Sequence, residues 1–433
     1  MPNKLLYENY QTYLKYLRHL VAIPSPFDNP TSVEKIITFC ESELSANLKD
    51  YTLKRDGGGN LIGCPSFWNP ANDLLFLSAH ADTATANPSE WDPPFHPYIP
   101  HEDDHEIVAR GVSDCKAGLA YQLFLAAMAA KGQLDLKNVF FSITFKEEGP
   151  GFKSGIFLGK AFGHDLPVAE KNTYFLALEN TVSASGPISL FLSEKSNFAI
   201  KIRGQLAWCK SVLQRLNQWN PIFIGPTEFL RPPEGAEKFT KIGGHACSVG
   251  RDKNLLTSII LNADENSLLW AGTETEFATI PKAIFKFKSP AGCDHTCVLS
   301  NRGFDRLEDV ELQLEGIPHV RMKDFAISSG LRASEHAQST PLVKSLISVS
   351  NPPLIGTNDG STDATIVYSS MTSSVRKRFF PLVIGPGTRS QRQRKPPRLT
   401  HGKNETFDKQ SGFDCVLLLT KALVKCKFAV LRS

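Results

Sequence analysis

The chain has 433 residues, 41% of them hydrophobic and 21% charged, and a formal net charge of +4. That length exceeds one ordinary domain, so two domains are expected, and the composition is that of a globular protein with a large core. The small charge argues against a dedicated nucleic-acid binder, and no run of about 18 apolar residues is present, so neither nucleic acid nor a membrane is an expected partner. The first residues, Met1 to Tyr7, lack the apolar core of a signal peptide. Nine cysteines, an odd number without framework spacing, read as thiols of a reducing compartment, and a cytoplasmic location is expected.

Leu5, Leu6, Tyr10, Tyr13, Leu14, Leu17 and Val21 recur at helical spacing over 4–22. Thr31-Ser32-Val33-Glu34 has the form of a capping box and opens a second helix, expected to run to about Leu48. Tyr51 to Arg55 and Leu61 to Gly63 read as strands joined by the turn Gly57-Gly58-Gly59-Asn60. Leu74 to Leu77 is a strand buried on both faces, and 84–106, rich in Pro and acid, is a loop. Lys116 to Lys131 is a helix apolar almost all round. Val139 to Phe145 and Tyr174 to Leu178 are further doubly buried strands. This alternation predicts an α/β fold, a mostly parallel sheet with helices on both faces.

The pattern then changes. Phe198 to Arg203 and Ala283 to Lys288 alternate apolar and basic residues, as half-buried antiparallel strands do. The βα style resumes with a helix near Pro341 to Val349, a strand Pro381 to Ile384 and an apolar helix from Phe413 to about Val424. The expected organisation is a first domain in two parts, 1–191 and 331–433, around a smaller inserted α+β domain at 192–330. Cys293-Asp294-His295-Thr296-Cys297 lacks zinc-ribbon spacing and reads as a loop. The basic run from Arg389 to Arg398, and Arg376-Lys377-Arg378, read as solvated segments.

Polar islands follow the buried strands, at the strand ends where open α/β sheets bind ligands. Ser78-Ala79-His80-Ala81-Asp82-Thr83 follows Leu74 to Leu77, and Lys146-Glu147-Glu148-Gly149 follows Val139 to Phe145. Arg110-Gly111-Val112-Ser113-Asp114-Cys115-Lys116 opens the apolar helix. A histidine and several carboxylates from different strand ends make a metal site. His80 and Asp82, two apart on a strand, point the same way, so the Asp82 carboxylate is expected to hold the His80 ring. Taken singly, each residue has a plainer reading: His80 a core histidine, Asp114 a helix N-cap, Glu147-Glu148 a solvated turn.

These islands belong to a longer ordered set. Trp91-Asp92-Pro93-Pro94-Phe95 lies between the first two. Gly360-Ser361-Thr362-Asp363-Ala364, Ile384-Gly385-Pro386-Gly387 and His401-Gly402-Lys403-Asn404-Glu405 come later. In content and order the set resembles the M20 family of dinuclear zinc hydrolases, which includes acetylornithine deacetylase, succinyl-diaminopimelate desuccinylase, aminoacylase and glutamate carboxypeptidase. The resemblance implies a zinc-exopeptidase-like catalytic domain and an inserted lid and dimerisation domain. It implies that His80 and Glu179 hold one Zn²⁺, His401 and Glu148 the other, and that Asp114 bridges both. It also implies that Glu147 is the general base, that Asp82 orients His80, and that His245, in Gly243-Gly244-His245-Ala246-Cys247-Ser248, stabilises the oxyanion. Co²⁺ or Mn²⁺ suits the same ligands.

The implied reaction is cleavage of an amide bond in an N-acyl amino acid or small peptide by hydroxide held between the metals, in a homodimer. Glu at position 179 goes with the deacylase and carboxypeptidase types. The alternatives are a dipeptidase or aminopeptidase on the same site, or a catalytically silent relative that binds a partner. Three features depart from the family pattern: about 30 residues from Trp208 to Phe239 enlarge the insert, Lys288 stands where an Arg is usual, without the bidentate fork of Arg, and Thr388 to Thr400 separate Gly385-Pro386-Gly387 from His401 where a few residues are usual.

Overall fold

The computed structural model describes residues 2–149, 153–183, 188–194, 198–204, 295–301, 319–321, 337–348, 352–358, 362–389 and 403–432. The chain divides into two compact units. One comprises Met1–Leu192, Ala333–Gly356 and Thr362–Ser433, and the other Ser193–Arg332 with Thr357–Ser361. The expected strand at Ala283 to Lys288, His245, Lys288, the Trp208 to Phe239 segment and His401 all lie outside the described residues.

The larger unit is built on a sheet whose strands are β1 (Tyr51–Arg55), β2 (Leu61–Pro65), β3 (Leu74–His80), β4 (Val139–Thr144), β5 (Thr173–Ala177), β6 (Ser189–Glu194), β7 (Leu354–Asn358) and β8 (Phe379–Val383). Their order across the sheet is β1-β2-β4-β3-β5-β8-β6-β7. The central strands β4, β3, β5 and β8 run parallel, while β1 with β2, β2 with β4, and β6 with β8 pair antiparallel.

Alternation along the central strands splits the core in two. Leu75 and Leu77, Val139, Phe141 and Ile143, Tyr174 and Leu176 face one core. Leu74 and Phe76, Phe140, Phe175 and Ala177 face the other. Both faces of each strand are thus apolar, which is why these segments read as unbroken hydrophobic runs. The first core is filled by α1 (Pro2–Val21), α2 (Pro30–Asn47), α3 (Lys116–Ala130), α5 (Pro341–Ile347) and α8 (Lys409–Lys425). The second is closed by α4 (Lys153–Ala161) and α6 (Asp363–Ser370), with the short α7 (Ser373–Arg376) alongside. Helix α3 is buried from Lys116 to Met128 because it packs against both α1 and α2 as well as β3.

Several local expectations change. The N-cap of α2 is Asn29, whose side chain accepts from the Ser32 N–H at 3.2 Å, and Pro30 takes the first helical position. Glu34, expected to close the capping box, instead pairs with Arg55 at 3.0 Å. Asp408 caps α8 by accepting from the Ser411 N–H, so this helix starts ahead of Phe413. Arg376 is not merely solvated: its guanidinium donates to the carbonyls of Met371 and Ser369 and lies over the Tyr368 ring.

The second unit contains a three-stranded antiparallel sheet, in which Phe198–Gly204 pairs with both His295–Asn301 and His319–Arg321. His295 to Cys297 therefore begins a strand, where a loop was expected. Among the described residues no helix is long and apolar enough to cross a membrane, and Cys40, Cys64, Cys115, Cys415 and Cys426 are free thiols.

Candidate metal centre

The parallel strands set the polar islands side by side at one end of the sheet. β3 ends on His80, and its register against β4 pairs His80 with Thr144 and against β5 pairs Ser78 with Ala177. The next residues of each strand, 81–82, 145–148 and 178–179, therefore emerge together. Asp114 comes from the turn ahead of α3. It is not the N-cap of that helix: Cys115 occupies the cap position, and no side chain caps it. The Asp114–Cys115 peptide is cis.

His80 is the centre of the cluster. Its Nδ1 lies 2.8 Å from the carbonyl oxygen of Asp82. A carbonyl only accepts, so Nδ1 is the donor and Nε2 is the nitrogen left for a ligand. Nε2 is 2.8 Å from Asp114 Oδ1 and 3.7 Å from Glu179 Oε2. Ligand atoms of His80, Asp114 and Glu148 all lie within 4.8 Å of one another, and so do those of His80, Cys115 and Glu179.

The Asp82 carboxylate lies 3.6 Å from His80 Nδ1, while its backbone carbonyl takes the ring's hydrogen bond. Its two oxygens accept the backbone N–H groups of Glu147 (3.0 Å) and Glu148 (2.9 Å). Asp82 thus ties the end of β3 to the turn after β4. Glu148 Oε1 accepts from the Ala84 N–H at 3.2 Å. Glu147 is buried beside this turn.

The electrostatics are those of carboxylates crowded around one imidazole. Burial pushes Glu179 up to about 8, eased by His80 and reinforced by Asp114. Burial likewise raises Glu147 well above the usual carboxylate range, eased by His80 and reinforced by Glu148, Glu179 and Asp363. At His80, burial works against the imidazolium, but Cys115, Glu179, Asp114 and Asp82 outweigh it and raise the ring's pKa well above its ordinary value. A bound dication relieves the same crowding, and mixed imidazole and carboxylate donors at this spacing fit a divalent metal. Complete burial pushes the Cys115 thiol up, which works against the thiolate form.

Glu405 closes the His401 motif in sequence, and its carboxylate holds the Asp114 turn. It accepts from Arg110 Nη1 (3.0 Å) and from the backbone N–H groups of Gly111 (3.0 Å), Ser113 (2.9 Å) and Asp114 (3.1 Å). Asp363 is also buried here, with Oδ2 accepting from the Thr144 hydroxyl and Oδ1 lacking a partner among the described residues. The signal for both was a carboxylate inside a motif at a strand or helix boundary. The Gly385-Pro386-Gly387 motif packs backbone to backbone: a Cβ on Gly385 would stand 2.3 Å from the Leu178 carbonyl carbon, so only glycine lets this segment lie against the chain that carries Glu179.

The model of peptidase family M20/M25/M40 matches residues 76–425. No curated protein matches the chain by sequence. Among solved structures, human carnosine dipeptidase 1 is similar with a TM-score of 0.61 at 13% identity, over 98% of this chain and 98% of that one. The di-peptidase Dug1p from Saccharomyces cerevisiae is similar with a TM-score of 0.57 at 13% identity, over 99% of each chain. A Bacillus subtilis dinuclear metal-binding peptidase of the M20 family is similar with a TM-score of 0.51 at 9% identity, over 97% of this chain and 99% of that one.

Proposed function

The chain belongs to peptidase family M20/M25/M40, and from that premise we propose that it is a metal-dependent hydrolase cleaving an amide bond in a small peptide or an N-acyl amino acid. The observation that carries this reading is the convergence of His80, Asp114, Glu148 and Glu179 beside the buried Glu147. His80 Nε2 and Glu179 would hold one ion, Glu148 and His401 the other, with Asp114 between them. A pair of divalent ions, zinc for preference and cobalt or manganese as substitutes, supplies Lewis-acid polarisation of the scissile carbonyl and acidifies water.

The chain's own residues do the rest. Glu147 has its pKa raised by burial, so it readily accepts a proton. It takes one from the attacking water as the C–O bond forms and delivers it to the nitrogen as the C–N bond breaks. Asp82 fixes the backbone of Glu147 and Glu148 and, through its own carbonyl, the His80 ring, so base and ligands keep one geometry. In the same reading His245 supports the developing oxyanion and the inserted domain, 192–330, acts as lid and homodimer interface. The dipeptidases among the similar structures make dipeptides the first substrates to try.

The test is metal analysis together with a panel of dipeptides and N-acyl amino acids, run on the parent and on Glu147→Gln. The variant should keep about two ions per chain and lose on the order of 10²- to 10⁴-fold in turnover. A Gln variant as fast as the parent removes Glu147 from the reaction. A parent that hydrolyses nothing on the panel, with zinc, cobalt or manganese supplied, leaves the silent binding relative as the reading.

A further inference from the structure

Resting on the reading of Asp114 as a metal ligand, we propose that Glu405 is a positioning residue for the metal centre: an anion built into the chain, around which the Arg110–Asp114 turn is folded so that the Asp114 side chain faces His80. The turn presents the N–H groups of Gly111, Ser113 and Asp114 to one point, a concavity of the kind that binds free anions. Here the occupant is the Glu405 carboxylate. Oε1 takes the Ser113 and Asp114 amides, and Oε2 takes the Gly111 amide and the Arg110 guanidinium. Both side chains of the Arg110–Glu405 pair are 4% exposed, so water cannot replace either partner cheaply.

The carboxylate is itself held on both flanks. The Glu405 carbonyl accepts from the Ala109 N–H, and Thr406–Asp408 pairs antiparallel with Glu106–Val108. The Thr406 carbonyl accepts from the Ser113 hydroxyl, and Asn404 exchanges hydrogen bonds with Asp92. Gly111 makes the wrap possible: it sits at φ +78°, and a Cβ there would lie 2.3 Å from Thr83 Cγ2. With its backbone N–H committed to Glu405, Asp114 directs its carboxylate the other way, to 2.8 Å from His80 Nε2. Amide for carboxylate at position 405 keeps the shape but turns one acceptor into a donor, which then faces backbone N–H groups.

The experiment compares the parent, Glu405→Gln and Thr420→Val, each loaded with Co²⁺. Thr420 is a buried hydroxyl of α8 bonded to Tyr121, remote in role from the turn, and serves as the control for plain loss of stability. Glu405→Gln should bind Co²⁺ about 10- to 100-fold more weakly and shift its visible absorption bands, as loss of an outer partner of a ligand does. Thr420→Val should lower the urea midpoint and leave affinity and spectrum as in the parent. A Glu405→Gln protein with parental affinity and spectrum overturns the proposal. Should that variant not fold, hydrogen exchange of the metal-free parent decides: the Ser113 and Asp114 amides should be as protected as the core of α3, and rapid exchange there overturns it. A parent that binds no Co²⁺ removes the metal reading, while exchange at the same amides still tests the wrapped turn.

Discussion

Asp363 is a carboxylate whose burial in this site is only partly compensated. Among the described residues its side chain accepts one hydrogen bond, from Thr144, and its other oxygen is buried without a partner. Burial pushes its carboxyl up to about 6, against the Thr144 hydrogen bond and the His80 charge and with help from Asp82. Folded protein therefore keeps a proton that the unfolded chain releases from about pH 4 upward. The contribution of Asp363 to the stability of the metal-free protein should fall as pH rises from about 4 to about 6 and then level off. Asp363→Asn removes the penalty, so it should exceed the parent at pH 7 by on the order of 1–3 kcal/mol and match it near pH 4. Urea unfolding in chelator at several pH values checks this, and a constant difference across that range would refute it. Sequence reasoning reached His80, Asp114 and the Glu147-Glu148 pair because each follows an apolar strand or opens an apolar helix. Around Asp82 the structure adds to what alternation suggests. β3 ends at His80, and the Asp82 carbonyl takes the ring's hydrogen bond. The carboxylate, 3.6 Å from Nδ1, also accepts the backbone N–H groups of the next strand's turn.

At the scale of elements, legibility followed burial. β3, β4, β5 and α3 are apolar on every side and stood out, because only a segment covered on both faces carries an unbroken hydrophobic run. α4, β7 and α6 were not anticipated: each is short, and Gly155, Gly159 and the Ser and Thr residues blur the period. The strand His295–Asn301 begins within the Cys293 to Cys297 segment read as a loop, and its backbone pairs along its whole length with Phe198–Gly204. The start of α2 separates motif from mechanism. Thr31 and Glu34 match a capping box, but Pro30 lacks an N–H and fits the first helical position, which leaves the cap to Asn29. Asn29→Ala should therefore cost about 1 kcal/mol, whereas Thr31→Ala should stay within about 0.5 kcal/mol. Denaturant midpoints of the two variants decide it, and the reverse order would restore the capping box.

For the whole molecule, the question is what the metal centre does to stability. The described residues proposed as ligands come from the ends of β3 and β5, the turn after β4 and the turn before α3, all within the larger of the two compact units. Unfolding that unit scatters its donors, so ions that bind the folded site alone must stabilise it by mass action. At 100 times the dissociation constant this amounts to about 2.7 kcal/mol per site. For a unit of this size that corresponds to a rise in melting temperature on the order of 4–5 °C per site. A chain of two units need not unfold in one step, so a single midpoint is the wrong observable. Segment-resolved hydrogen exchange is the better one. Adding zinc to chelator-treated protein should slow exchange in β3, β4, β5 and α3, whose amides open only when the ligands separate. Phe198–Gly204, paired in the other unit's own sheet, should exchange at the same rate with and without metal. Equal protection in both units would mean that the ions act on something other than this cluster. No protection in either would mean that the convergence of His80, Asp114, Glu148 and Glu179 binds no ion at all. The pattern expected here, confined to the strands that deliver those side chains, follows from the fact that a parallel sheet gathers distant parts of the sequence at one edge and leaves their ligands useless once it comes apart.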